Sequence, residues 1–313
     1  MAGRGAVALE PFPKAHAGSG RGVGLFYALL GAIGFSFKAI LVKLAYQYPV
    51  DAETLLALRM GLSLPFFIAM GVLADRRASH RLDGRDWLGM AALGFLGYYL
   101  ASYLDFLGLR HITAALERLI LFLYPTLVIV LSALFLGKPI GRRVVGALTL
   151  CYLGIALAVG HDLHIGGDPG QVLLGCALVF GSALAYALYL MGNGEVVGRL
   201  GSLRVTAFAT TFACLFCIGQ FLALRPPAVL FALPWQVYAL GLVMALFSTV
   251  GPVWMVSEAI RRLGAGPVSL TGTLGPVVTI FLGWLLLDEA IGPWQVAGAA
   301  LVIVGVLVMA RRA

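Results

Sequence analysis

The sequence predicts an all-α integral membrane fold, with ten transmembrane helices arranged as two inverted five-helix repeats around a central cavity. Three observations predict it. The 313-residue chain is 61% hydrophobic and 12% charged, with a mean hydropathy of +0.96. Soluble domains carry roughly 25% charged residues because their surfaces face water, so lipid must be the solvent for most of this one. Apolar runs of about 20 residues, the length a helix needs to cross hydrocarbon, recur along the whole chain. The second half then repeats the pattern of the first. These runs are much longer than barrel strands and do not alternate, which excludes a β-barrel.

Ten spans are predicted in order at 23–45, 54–74, 86–109, 113–136, 143–160, 171–192, 203–224, 235–259, 266–287 and 294–310. The connections hold turn formers: Tyr48-Pro49, Gly137-Lys138-Pro139, Gly166-Gly167-Asp168-Pro169-Gly170, Arg225-Pro226-Pro227 and Gly292-Pro293. Residues 1–22 form a polar, basic N-terminal tail with no signal-peptide cleavage pattern.

Lysine and arginine set the orientation. With a cytoplasmic N-terminus, the inner segments hold Arg4, Lys14, Arg21, Arg76, Arg77, Arg81, Arg85, Lys138, Arg142, Arg143, Arg199, Arg204, Arg261, Arg262, Arg311 and Arg312. The outer loops hold only Arg110 and Arg225, alongside the acids Asp51, Glu53, Asp162, Asp168, Asp288 and Glu289. This bias places both termini inside. It also accounts for the formal charge of +8 without nucleic-acid binding.

The four cysteines lie in apolar runs, so Cys214-Leu215-Phe216-Cys217 reads as packing and not as a redox or zinc motif. His161 and His164, near Asp162 and Asp168, form too weak a pattern for a metal site. No metal or cofactor is expected.

Residues 108–158 align on 259–309 without a gap. Tyr124-Pro125 falls on Gly275-Pro276, Leu136-Gly137-Lys138 on Leu287-Asp288-Glu289, Arg110 on Arg261, and Gly154 on Gly305. The first two spans of each half align less clearly. With five spans per copy, the second must enter the membrane in the opposite sense, as in many secondary transporters. The predicted repeats are 23–162 and 163–313.

These motifs resemble the drug/metabolite transporter superfamily, in its EamA branch, over roughly 23–310. The resemblance rests on Gly108-Leu-Arg-His-Ile-Thr-Ala-Ala, Tyr124-Pro125-Thr and Leu136-Gly137-Lys138-Pro139-Ile140, with their counterparts in the second half. Family members usually show a Gly-Glu or similar acidic pair after the fourth helix of each repeat. This chain keeps Asp288-Glu289 in the second copy and has Gly137-Lys138 in the first. The resemblance implies a ten-helix basket in a bacterial inner membrane, exporting amino acids, related metabolites or toxic cations without ATP. No Walker-type motif is present, in agreement.

Charges inside spans are expensive and are therefore candidates for function. They are Lys38 and Lys43 in the first span, Arg59 in the second, Asp105 in the third, and Glu117 with Arg118 in the fourth. All belong to the first half and to its outer part, which makes a cationic cavity suited to a carboxylate. Lys43 and Arg59 could instead snorkel to the interface, and Asp105 with Arg118 could form an ion pair clamping two helices. Lys38 is the deepest basic residue and the leading site residue. Polar and aromatic candidates are Ser36, Tyr98, Tyr99, Ser102, Tyr103, Ser182, Tyr186, Tyr189, Trp254, Ser257, Thr271 and Thr273. Tyr and Trp offer apolar area with one hydrogen-bonding tip, which fits amphipathic metabolites such as aromatic or other apolar amino acids. Gly31/Gly34, Gly137/Gly141 and Gly264/Gly266 are candidates for close helix contact or hinge motion. Pro125, Pro252, Pro267 and Pro276 are candidate bending points.

The leading expectation is a secondary exporter of amino acids and related metabolites by alternating access, with drugs, toxic cations or another carboxylate metabolite as alternatives. An intramembrane enzyme lacks its motifs here, and a channel would need no inverted halves. The expected partners are a small-molecule substrate and the bilayer, with no nucleic acid; a homodimer is left open.

Overall fold

The computed structural model describes residues 19–78, 81–137, 139–165, 168–264, 268 and 271–310. Ten apolar helices among them follow the predicted spans: α1 (Ser19–Ala45), α2 (Ala52–Arg76), α3 (Gly84–Gly108), α4 (Ala114–Phe135), α5 (Arg142–Ile165), α6 (Pro169–Leu200), α7 (Ser202–Leu224), α8 (Trp235–Leu263), α9 (Leu274–Leu287) and α10 (Pro293–Ala310). The first eight are long and apolar enough to cross a bilayer, whereas α9 and α10 are shorter. At 1.5 Å per residue, α9 alone covers about 21 Å of a ~30 Å core. Its N-terminal approach includes residues 265–267 and 269–270, outside the described set. Pro267 and Gly266 lie there too.

Lipid solvation is visible on the surface. Leu134, Phe135, Leu88, Trp235 and Phe247 are each more than two-thirds exposed, which no aqueous fold of this size would tolerate as a general pattern.

Helix ends follow local chemistry. Asp51 caps α2 by accepting the Thr54 N–H at 2.8 Å, and Asp83 with Asp86 forms a capping box on α3. Within α3, residues Phe95–Leu100 widen into a π turn, and Leu246–Val250 do the same within α8. The same offset relates Gly137 to Asp288, both left-handed residues ending their helices, and Arg142 to Pro293, the first residues of α5 and α10. Asp288 is the single non-glycine residue with positive φ among those described. Both α4 and the approach to α9 break at a turn, at Phe122–Leu123 and Gly272–Thr273.

The principal helix pairings are α5 with α10, α2 with α7, α1 with α8 and α9, and α6 with α3 and α4. Small residues permit the closest of them. A Cβ on Gly31 would lie 2.7 Å from the Val256 side chain, and one on Gly34 would lie 2.5 Å from Pro252, so α1 rests directly on α8. Of the two roles expected for Gly137, Gly141 and Gly264, close contact is not seen among the described residues, where a Cβ on each would meet nothing within 4 Å; Gly137 and Gly264 serve turns with positive φ. In the α5–α10 seam, Gly154 and Gly298 each place the opposite carbonyl oxygen 2.5 Å from where a Cβ would sit.

The turns after α1, α3, α5, α7 and α9 meet at one end of the bundle, joined by Asp162 to Thr113, His161 to the Ala290 carbonyl and Arg225 to Asp51. This end carries the loop acids and is termed the acidic end. Arg204 with Asp75, Arg199 with Asp86 and Arg262 with Glu258 mark the opposite, basic end.

Substitution of Gly154 or Gly298 by Val is expected to cost about 1–3 kcal/mol through overpacking against backbone. Gly146→Ala on the same helix, where nothing lies within 4 Å, should be tolerated. Unfolding in detergent measures both.

Candidate functional site

Lys38 projects from the middle of α1 toward α3 and α4. Its Nζ lies 2.5 Å from Asp105 Oδ2 and 3.5 Å from Glu117 Oε1. Asp105 is 1% exposed and Glu117 not at all, while Lys38 keeps 17% of its side chain open. Among the described residues, Asp105 Oδ1 and both Glu117 oxygens have no hydrogen-bond donor. One ammonium thus holds two carboxylates inside an apolar bundle, where each unpaired charge is costly.

Asp105 therefore pairs with Lys38 and not with Arg118. The i,i+1 neighbours Glu117 and Arg118 diverge by about 100° around the helix. Glu117 takes the side facing Lys38, and Arg118 goes to Gly275 of α9, where an added Cβ would meet its Nη2 at 2.8 Å. The Arg118 Nε has no hydrogen-bond partner, and no carboxylate pairs with it among the described residues.

Arg59 does not snorkel. It is 4% exposed, donates to Ser102 Oγ at 3.3 Å, and stacks over Phe106 with 4.9 Å from Cζ to the ring centroid. Its Nε has no hydrogen-bond partner among the described residues. Cys214 lies beside it, 3.8 Å from Met60 Sδ, and Cys214 and Cys217 are buried free thiols in the packing.

An aromatic ladder runs beside Arg118. Tyr124 meets Tyr186 edge-on at 5.2 Å, Tyr186 stacks on Tyr189 at 5.4 Å, and the Tyr189 and Tyr98 hydroxyls approach to 3.1 Å. Ser182 donates to the Ala101 carbonyl at 2.7 Å and Ser36 to the Ala32 carbonyl at 2.8 Å, so both serve helix packing. Thr271 donates to Val268 O at 2.7 Å. Tyr99 stacks with Tyr103 in a separate cluster on Phe95 and Phe216. Trp254 is 48% exposed and packs edge-on against Tyr27, apart from the charged group.

A cavity of about 500 Å³ opens at the acidic end, lined by Lys43, Tyr46, Tyr48, Pro49, Val50, Asp51, Leu109 and Arg110. Of the candidates named from the sequence, Lys43 lines it, and Leu109 sits one turn beyond Asp105 on the same face of α3. Burial alone would raise the Asp51 carboxyl; hydrogen bonds from Thr54 and the Arg225 charge outweigh it and hold it below its ordinary value. Arg110 lies over the Tyr46 ring at 5.6 Å.

Lys43, a charged candidate whose alternative was snorkelling to the interface, donates to the Ile112 carbonyl at 2.7 Å and lies 3.4 Å from Glu289 Oε1. Glu289 accepts the Ala114 N–H at 2.8 Å, and Asp162 accepts the Thr113 N–H at 2.9 Å and its hydroxyl at 3.0 Å. Sequence reasoning placed both acids in loops and missed these contacts, along with the role of Tyr124 in the ladder. The motif Tyr124-Pro125 was the available signal for the tyrosine. Nothing local signals the acids' partners.

The sequence pattern of the EamA-like transporter family matches residues 22–160 and again residues 173–311. An uncharacterized transporter, YcbK of Bacillus subtilis (strain 168), is 29% identical over 283 residues, 88% of each chain. The pseudopaline exporter CntI of Pseudomonas aeruginosa (strain UCBPP-PA14) is 26% identical, over 92% of this chain and 96% of its own. The threonine/homoserine exporter RhtA of Escherichia coli (strain K12) is 28% identical over 45% of this chain and 47% of its own. A crystal structure at 20% identity superposes with a TM-score of 0.59, covering 95% of this chain and all of that one, and agrees in fold. With a twice-matched family pattern on a multi-spanning helical bundle, the chain belongs to the EamA-like transporter family of the drug/metabolite transporter superfamily.

Proposed function

We propose that the protein exports amino acids and related small carboxylate metabolites across the bacterial cell membrane by alternating access. In this reading the halves 23–162 and 163–313 are inverted repeats, both termini are cytoplasmic, and the acidic end faces outward. The paired features of α3 and α8, of Gly137 and Asp288, and of α5 and α10 support the repeats. So does a helix pairing that maps onto itself when the halves are exchanged, as α1 on α8 becomes α6 on α3. Five spans per half give the copies opposite sense.

The single observation behind the substrate class is the mixed charge of the first half. Lys38 meets two carboxylates, Asp105 and Glu117, while Arg59 and Arg118 add cations that pair with no carboxylate among the described residues. A zwitterion meets both signs there: its carboxylate has Lys38 and Arg118, which pairs with no carboxylate among the described residues, and its ammonium has Glu117. The tyrosine ladder supplies apolar faces with polar tips for a side chain. The excess of cations argues against a cationic drug as the main cargo, because its desolvation would go uncompensated.

Counterflow of labelled amino acids in proteoliposomes tests this. Lys38→Ala should lower it by ~10–100-fold, the equivalent of one charge-assisted contact of roughly 1.5–3 kcal/mol; wild-type rates in folded variant would remove Lys38 from the site. The same protein should lose about 3–5 kcal/mol of stability, because two buried carboxylates lose their cation. The neutral combination Lys38→Met, Asp105→Asn, Glu117→Gln should regain most of that stability in detergent unfolding while remaining inactive in transport.

A further inference from the structure

Two acids of the acidic end, Asp162 and Glu289, are not solvated loop charges. Four donors of the α3–α4 turn and the start of α4 are taken by carboxylates from elsewhere in the chain. Asp162, in the last turn of α5, takes the Thr113 N–H and hydroxyl. Glu289, from the α9–α10 turn, takes the Ala114 N–H at 2.8 Å and the Ala115 N–H at 3.4 Å. Lys43, at the end of α1, touches the same Glu289 oxygen at 3.4 Å and the Ile112 carbonyl at 2.7 Å. A carboxylate on the N-terminal N–H groups of a helix, with an ammonium beside it, is a charge-assisted contact that water can replace when the turn moves.

Three further features make Glu289 specific. Asp288 holds a left-handed backbone at φ 52°, which turns the chain so that Glu289 returns to the bundle. Gly283 leaves the space the carboxylate occupies, since a Cβ there would lie 2.8 Å from Glu289 Oε2. The helix so gripped bears Glu117 and Arg118 in its next residues, and Leu109 and Lys43 line the cavity just outside. The grip therefore lies between the outer cavity and the Lys38 site. The first half has a left-handed Gly137 at the matching place, yet its sequence carries Lys138 where Glu289 stands and Ser132 where Gly283 stands. The acid and the room for it exist in one copy only.

We propose that Glu289 is a positioning residue that latches the α4 N-terminus and keeps the path shut at the acidic end, and that release of this one-sided latch opens the path outward. The proposal rests on the carrier reading above and is independent of which solute is carried. Its test is the side-specific accessibility of a thiol inside the latch. Ser102→Cys, in protein reconstituted with known orientation, is labelled with a membrane-impermeant maleimide from the acidic side. Protein with only its four native cysteines gives the background. Adding Glu289→Gln should speed labelling on the order of tenfold, the population shift expected from losing one charge-assisted contact. Labelling from the basic side should fall, which simple loosening of the fold would not produce. Should Glu289→Gln not fold, Lys43→Gln removes the cation and leaves the carboxylate on the helix, and should give a smaller increase of the same sign. Unchanged labelling from the acidic side in either folded variant, or an equal rise from both sides, overturns the latch. Absence of counterflow in the wild-type protein would instead overturn the carrier reading and would leave the labelling result standing.

Discussion

One ammonium bridging two carboxylates organises the interior of this bundle. Lys38 comes from α1, Asp105 from α3 and Glu117 from α4, and both carboxylates are removed from solvent. Hydrocarbon offers these groups no alternative partner, so the three helices must stay where the charges can meet. The consequences spread outward. Glu117 takes one side of α4 and thereby sends Arg118 to the other, into contact with Gly275 of α9. Arg118 then stands beside the tyrosine ladder that runs from α4 through α6 to α3.

Satisfaction of the backbone is the second constraint on the architecture. No water is present in the hydrocarbon to bond exposed peptide groups, so every turn that dips inward needs a protein partner. The Ile112–Ala115 stretch, beside the outer cavity, also takes its partners from the protein in this arrangement: a lysine takes its carbonyl, while two carboxylates take its N–H groups. The same residues that a sorting rule assigns to water-facing loops thus complete the backbone of a spanning helix.

The helices were legible in the sequence because long apolar runs and short Pro/Gly turns are local signals, and the observed spans fall where these signals lie. One aligned pair, Gly137 with Asp288, was legible too, since both prove to be left-handed caps. The partners of charged groups were not. Asp105 and Arg118 lie on consecutive spans, and proximity in sequence suggested a pair; the third dimension brings α1 between them in function, through Lys38. Arg59 looked close enough to an end to reach water, but its guanidinium is enclosed by Ser102 and Phe106. Glycines gave a mixed lesson. Gly31 and Gly34 serve close contact, whereas Gly137 and Gly264 serve backbone angle, a difference that composition does not encode.

The wide turn in α3 has a consequence for handedness of presentation. Residues Phe95–Leu100 spend one extra amino acid before the regular helix resumes at Ala101. Every side chain beyond that point is advanced by one residue, about 100° of azimuth relative to an unbroken helix. Asp105 lies just beyond it, so the bulge decides which compass bearing the carboxylate occupies. Ironing out that single surplus residue would swing it away from the α1 ammonium without breaking the rod. The negative pole of the interior is, in this sense, aimed by a backbone irregularity and not by its own side chain.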